Sequence, residues 1–350
     1  MERSKLIDTL KGAGIMFVIL GHISLTPTAL KVWLYSFHMP LFFICSGLVF
    51  SLNRYKDYKS FIKAKVNSIV VPYFCLGMVL WLLKNCLNFV KQIYNGNTIT
   101  DWKLGQTAIS LVLGHRLHHY YFSLWFLCVL FFSELVFYFI EKFAQKTTVR
   151  RRVIVYILTA ILAVMIEWIV LKFIKGWFLS LDLVPAGIAF LSVGRLFRII
   201  NDNCKVSFQQ KWQLPIALLS SVFTCVLNYR ISGLTDLYSC NIGNPLLYFS
   251  SAITGSWFII ILLSQLGEMN PVEYLGKNSL IIYAFQNSFC IPAAKLVNSF
   301  LKNRFGLLSD RIAQWLVIIS ITLILSVILV ELINHFFPWM LGRKRIISQK

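Results

Sequence analysis

The chain has 350 residues, 57% hydrophobic and only 14% charged, and a mean hydropathy of +0.70 excludes a soluble globular domain. Its formal net charge of +20 would suit a nucleic-acid binder, but the 34 Lys and Arg gather at one set of segment ends instead of forming a binding surface. The expectation is an all-α polytopic membrane bundle of about ten spans, a single domain over residues 1–350 with no fused soluble domain.

A crossing helix needs roughly 20 mostly apolar residues, and ten windows meet that demand: 6–25, 31–51, 69–90, 122–140, 153–173, 178–196, 213–229, 245–265, 277–296 and 312–336. With the N-terminus in the cytoplasm, 22 of the 34 Lys and Arg fall at cytoplasmic ends and loops, among them Arg54, Lys56, Lys59, Lys63, Lys65, the run Arg150, Arg151, Arg152, and Arg343, Lys344, Arg345. That asymmetry is the positive-inside rule, and an even number of spans then leaves both termini cytoplasmic. A basic start before an apolar run also suits a secretory signal. The stretch "GHISLTPT" lacks the small-x-small cleavage pattern, so the first window is read as a retained span.

The first span, "RSKLIDTLKGAGIMFVILGH", carries two ionisable groups that lipid disfavours. Lys11 and His22 are eleven residues apart, just over three helical turns, which sets them on one stripe about 16 Å from each other. Asp8, three residues before Lys11, can share its face and offset the charge. The second span runs back and contains "FHMPLFFICSG", where His38 falls at about the depth of His22. Two imidazoles at one membrane level point to a functional site. The structural alternatives are an imidazole bonded to a backbone carbonyl and a Lys11 that snorkels to the headgroups.

Between the third and fourth windows, the piece "TAISLVLG" (Thr107 to Gly114) is too short to cross and is expected to lie at the interface as a cap over the outer mouth, followed by "HRLHHYY". Trp125, Tyr120 and Tyr121 mark the external end of the fourth span, as an aromatic belt or as rings that stack on a sugar. Glu134, Glu167 and Glu331 lie inside spans; Glu167 either faces an acceptor or makes a helix–helix hydrogen bond. Asp236, Asn241 and Asn244 precede the eighth window, as sugar ligands or as turn formers. The eight Cys show no CxxC or metal-type spacing, so neither a disulfide framework nor a zinc site is expected. A transporter with a His and Glu path is the competing reading, weakened because no matching Gly or Pro interruptions stand out in the two halves.

The opening "DTLKGAGIMFVILGH" followed by "FHMPLFFICSG" resembles the membrane-bound acyltransferase-3 family, whose first span carries a basic residue, ten intervening residues and a His. The likeness continues through "FIKAKVNSIVVPYF", "SLWFL", "GNPLLYFSSAITG" and "EYLGKNSLIIYAF", spread over nearly the whole chain. It departs at Asn67 and Ser68, where basic residues are common, which moves donor binding toward Lys63 and Lys65. It departs again at Gln286, where many relatives have His. The resemblance implies transfer of an acyl group, usually acetyl, from cytoplasmic acyl-CoA to a hydroxyl of an envelope or exported saccharide, in a bacterial cell membrane and without a metal. On that scheme Lys11, Asp8, Lys63 and Lys65 meet the acyl-CoA donor, and Trp125, Glu167, Asn244 and Gln286 the acceptor. His22 is the base, with His38 orienting it or stabilising the oxyanion; an acyl-His22 intermediate is the rival mechanism.

Overall fold

The computed structural model describes residues 3–94, 104–114, 124–203, 208–305 and 310–342. Its helices, in chain order, are α1 Arg3–His22, α2 Thr28–Val49, α3 Tyr58–Lys65, α4 Val71–Tyr94, α5 Leu104–Leu113, α6 Trp125–Gln145 and α7 Val149–Phe173. They continue with α8 Val184–Asn203, α9 Gln213–Ser232, α10 Pro245–Leu266, α11 Asn270–Lys277, α12 Ser279–Phe285, α13 Ile291–Phe305 and α14 Arg311–Phe336. The protein is a multi-pass helical membrane bundle. Among the described residues, eight helical segments are long and apolar enough to cross a membrane. α1 and α6 match them in length, at 20 and 21 residues, but each carries at least three charged side chains in any stretch of eighteen. Every one of the ten windows read from the sequence falls on a long helical run.

Local chemistry sets many of the ends. Asp57 caps α3 in a reciprocal box with Ser60, Thr148 caps α7, Asn244 caps α10 ahead of Pro245, and Asp310 caps α14. The window 178–196 is only partly helical in the α sense. Phe178–Leu183 forms a tight 3₁₀ turn with Leu179 and Ser180 at φ 50° and 54°, and α8 starts at Val184.

Two spans are broken by π turns, Val66–Val70 between α3 and α4 and Gln286–Cys290 between α12 and α13. Each ends two residues before a proline, Pro72 and Pro292. A proline has no N–H for the carbonyl four residues back and its ring crowds that carbonyl, so the preceding turn widens. These interruptions fall in the third and ninth spans and not at matching positions in the two halves.

The interior is packed from α1, α2, α6, α8, α10 and α12, whose side chains supply most of the buried apolar core. Glycines let backbones meet. A Cβ on Gly47 would overlap the carbonyl of Leu191, and one on Gly194 the carbonyl of Ile44, which locks α2 to α8. The Ser- and Thr-rich α9 is held by polar contacts, Trp33 Nε1 donating to Ser221 Oγ at 2.9 Å and Thr224 bonding Thr254 at 2.8 Å. The outer face of α7 exposes Ile154, Leu158, Ile161, Leu162 and Met165, as a helix solvated by lipid should.

One buried charge cluster joins α2, α6, α7 and α8. Arg195 forks onto Glu141 through Nε at 3.0 Å and Nη2 at 2.8 Å, Tyr156 donates its hydroxyl to the same carboxylate, and Arg195 Nη1 reaches the Phe50 carbonyl at 3.2 Å. This fully satisfied cluster fixes the end of α2. Lys5, at the start of α1, pairs with Glu268, and Gly276 of α11 packs against Asp8. Tyr274 bonds Glu331 and Asn278 bonds Asn334, so α14 ends on the face where α1 begins. That face is called the basic face below.

α5 is not a cap over a mouth. The Tyr73 hydroxyl donates to the Leu111 carbonyl at 2.8 Å, and Val112 lines a small lateral pocket with Phe74, Phe131 and Phe132. It packs on the flank of α4 and α6 because its apolar face finds apolar side chains there. Tyr120 and Tyr121 lie outside the described residues.

Candidate active site

Three cavities follow one another through the interior. The one farthest from the basic face, about 160 Å³, is lined by His22 from α1 and by Tyr35, His38 and Met39 from α2. Trp125 opens α6 on its wall, and Asp236, Tyr238, Tyr283 and Asn287 complete it. The second cavity, about 170 Å³, shares Met39 and Tyr283 with the first and adds Lys11, Ser46, Ser68, Ile69 and Leu130. The third, about 200 Å³, shares those five residues with the second and opens among Arg54, Tyr55, Lys65 and Glu134. Lys11 therefore borders both inner cavities, and His22 lies at the far end of the same helix stripe, as the eleven-residue spacing predicts.

The two imidazoles are held differently. His38 is buried, and its Nδ1 bonds the Leu34 carbonyl at 2.8 Å. His22, half-buried, places Nδ1 3.4 Å from the Tyr35 hydroxyl. Tyr35 bridges the pair, its ring edge-on to His22 at 6.3 Å and to His38 at 5.0 Å between centroids. Asp236 is held by its own turn, accepting from the backbone N–H groups of Tyr238 and Ser239 at 3.1 and 3.2 Å, which presents its carboxylate at the cavity edge.

Several expected site residues stand elsewhere. Asp8 makes no ion pair with Lys11, and Lys277 nearby is paired with Glu273 at 2.6 Å. Lys63 is exposed on α3 and borders none of the three cavities. Lys65 does border the third, but bound to Glu134 at 2.7 Å. Glu167 is fully buried and accepts from the backbone N–H of Ala186 at 3.1 Å, so it caps the start of α8 and does not face the cavity. Asn244 accepts from Leu247 N as the α10 cap and lines a lateral apolar groove of about 470 Å³. Gln286 is buried off the cavity, and Asn287 lines it instead. Both residues lie in the π turn Gln286–Cys290, whose extra residue per turn shifts the helical register there.

Sequence reasoning missed Tyr35, although it lies three residues before His38 on the same helix face, and it missed Tyr283, which carries no local signal. Arg54 was read only as part of the basic bias, and it lines the third cavity. Among the described residues no group of three His, Cys, Asp or Glu side chains could hold a metal ion.

Among the described residues the cavities thus carry a lysine without an ion-pair partner midway and two imidazoles at one end, inside a multi-pass bundle. The chain is a member of the acyltransferase-3 family: the family model described as an acyltransferase domain matches residues 5–331. No curated protein and no solved structure matches the chain.

Proposed function

We propose that the protein transfers an acyl group, acetyl first among candidates, from cytoplasmic acyl-CoA to a sugar hydroxyl of an envelope or exported saccharide. The observation that carries this reading is the run of three cavities joined by shared walls, basic at one end and imidazole-lined at the other. Arg54 and Lys11 offer cationic contacts to an anionic donor whose thin pantetheine arm suits a narrow apolar passage. Among the described residues Lys11 has no carboxylate within ion-pair distance, so its charge is available to a ligand. At the far end Trp125, Tyr238 and Tyr283 give rings for a sugar to stack on, and Asp236 and Asn287 give polar groups for its hydroxyls. The positive-inside bias supports a cytoplasmic basic face in a bacterial cell membrane.

Acyl transfer to an alcohol needs a base for the hydroxyl proton and a donor for the oxyanion. His22 and His38 border one cavity and supply both functions. The test is transfer of label from radiolabelled acetyl-CoA to envelope glycans in membranes holding the wild type or His22→Ala. Label with the wild type alone supports the reading. No label with either, both being folded, would turn attention to other acyl donors and then to transport.

A further inference from the structure

The two imidazoles meet different partners through Nδ1, a backbone carbonyl at His38 and a phenol hydroxyl at His22, and this contrast can divide the chemistry between them. His38 Nδ1 is 2.8 Å from the Leu34 carbonyl oxygen. A carbonyl only accepts, so Nδ1 holds the hydrogen and the neutral ring keeps its lone pair on Nε2. No described residue hydrogen-bonds that Nε2, and the ring borders the cavity. His22 meets a different neighbour. The only described partner of the Tyr35 hydroxyl is His22 Nδ1 at 3.4 Å. A phenol oxygen pairs with an imidazole nitrogen as donor or as acceptor; with Tyr35 as the donor, the hydrogen of neutral His22 sits on Nε2.

Resting on the acyl-transfer reading above, we propose that His38 Nε2 takes the proton of the attacking hydroxyl and that His22 Nε2–H stabilises the oxyanion, with Tyr35 as the residue that sets the His22 tautomer. This reverses the roles that the first-span motif alone suggests. The step balances without a further reactant. The acceptor oxygen forms a bond to the thioester carbon as its proton passes to His38 Nε2, and the carbonyl oxygen becomes an oxyanion held by His22 Nε2–H. The C–S bond then breaks, and the thiolate leaves as CoA thiol with the proton from His38. Leu34 contributes through its carbonyl, which holds the His38 ring in the orientation that exposes the lone pair.

Asn and Gln separate the roles, because neither is a base. An Asn amide reproduces the N–H at Nδ1 and a Gln amide the N–H at Nε2. His38→Asn keeps a donor for Leu34 and loses the base, so kcat should fall by about 10³-fold or more, within the range of lost general-base catalysis. His22→Gln keeps a donor for the oxyanion and should stay within about 30-fold of the wild type, while His22→Ala loses on the order of 10²- to 10³-fold. Tyr35→Phe should lower kcat by about twofold with KM for the donor unchanged, since about half of the neutral His22 rings would then present the other tautomer.

The assay is turnover of acetyl-CoA with acceptor in solubilised full-length protein whose thermal unfolding matches the wild type, with His38→Gln as the substitute should His38→Asn fail to fold. Loss of activity in His38→Asn with activity kept in His22→Gln supports the assignment. A His22→Gln protein as inactive as His38→Asn, a His38→Asn protein that turns over normally, or acetyl label retained on His22 without acceptor would overturn it. A wild type that transfers no acyl group from any thioester defeats the acyltransferase reading itself, and that outcome is distinct.

Discussion

Lys65 Nζ stands 2.7 Å from Glu134 Oε2, both side chains largely shielded at the mouth of the third cavity. A lysine that sequence places as a free donor contact is therefore half neutralised before any ligand arrives. Removing one member of a buried pair leaves the other charge uncompensated, at about 3 kcal/mol. Glu134→Gln should lower the thermal midpoint in detergent, and CoA should restore more of it than in the wild type because Lys65 is freed for an anion. Equal stabilisation by CoA in both proteins would count against Lys65 as a donor contact.

Among the described residues, Lys11 offers the passage a positive charge with no carboxylate within ion-pair distance. Lys11→Met keeps the stem and removes the charge. The expected outcome is a KM for acyl-CoA raised roughly 10- to 100-fold, equivalent to about 1.4–2.8 kcal/mol, with kcat changed far less. A steady-state series in acyl-CoA at saturating acceptor separates the two.

Glu167 tests whether a buried carboxylate inside a span must be catalytic. Its bond to Ala186 N needs only an acceptor oxygen, and a Gln amide supplies one. Glu167→Gln should keep activity within about threefold, and Glu167→Ala should lose on the order of 1–2 kcal/mol of stability as a cap is lost. Acetyl transfer and thermal melts on the two variants check both statements.

Arg195 reaches Glu141 through two nitrogens and Phe50 through a third. A lysine has one nitrogen in place of three. Arg195→Lys should therefore destabilise the bundle by roughly 3 kcal/mol despite its conserved charge, since part of a buried network goes unsatisfied. Detergent melts and the yield of monodisperse protein report it.

At Gly276 a Cβ would overlap the carbonyl oxygen of Asp8, whereas at Gly14 it would meet only the ring of Phe42 at 3.0 Å. Backbone cannot yield as a side chain can. Gly276→Ala should lose about 2–3 kcal/mol and Gly14→Ala less than about 1 kcal/mol, measured by the same melts.

The spans were legible because lipid imposes a length and a composition on each, and the alignment of Lys11 with His22 was legible because helical periodicity is fixed. His38 followed from the short hairpin that makes α1 and α2 neighbours. Lys63, Asn244 and Gln286 stand off the three cavities for separate local reasons. Lys63 lies on the outer side of a short helix, Asn244 is used by its own helix end, and Gln286 sits in a turn whose register the π geometry shifts.

Sequence alone determined that this chain is an all-α multi-pass membrane bundle and that one stripe of its first helix carries a cation and an imidazole, because hydropathy and helical pitch are local properties. Only the tertiary structure decided which groups meet them. Asp236, Tyr283 and Asn287 come to His22 and His38 from other segments, and Glu134 comes to Lys65 from another helix. Such pairings depend on which helix faces which. Glycine contacts and interhelical hydrogen bonds far apart in the chain set that, and no local pattern encodes it.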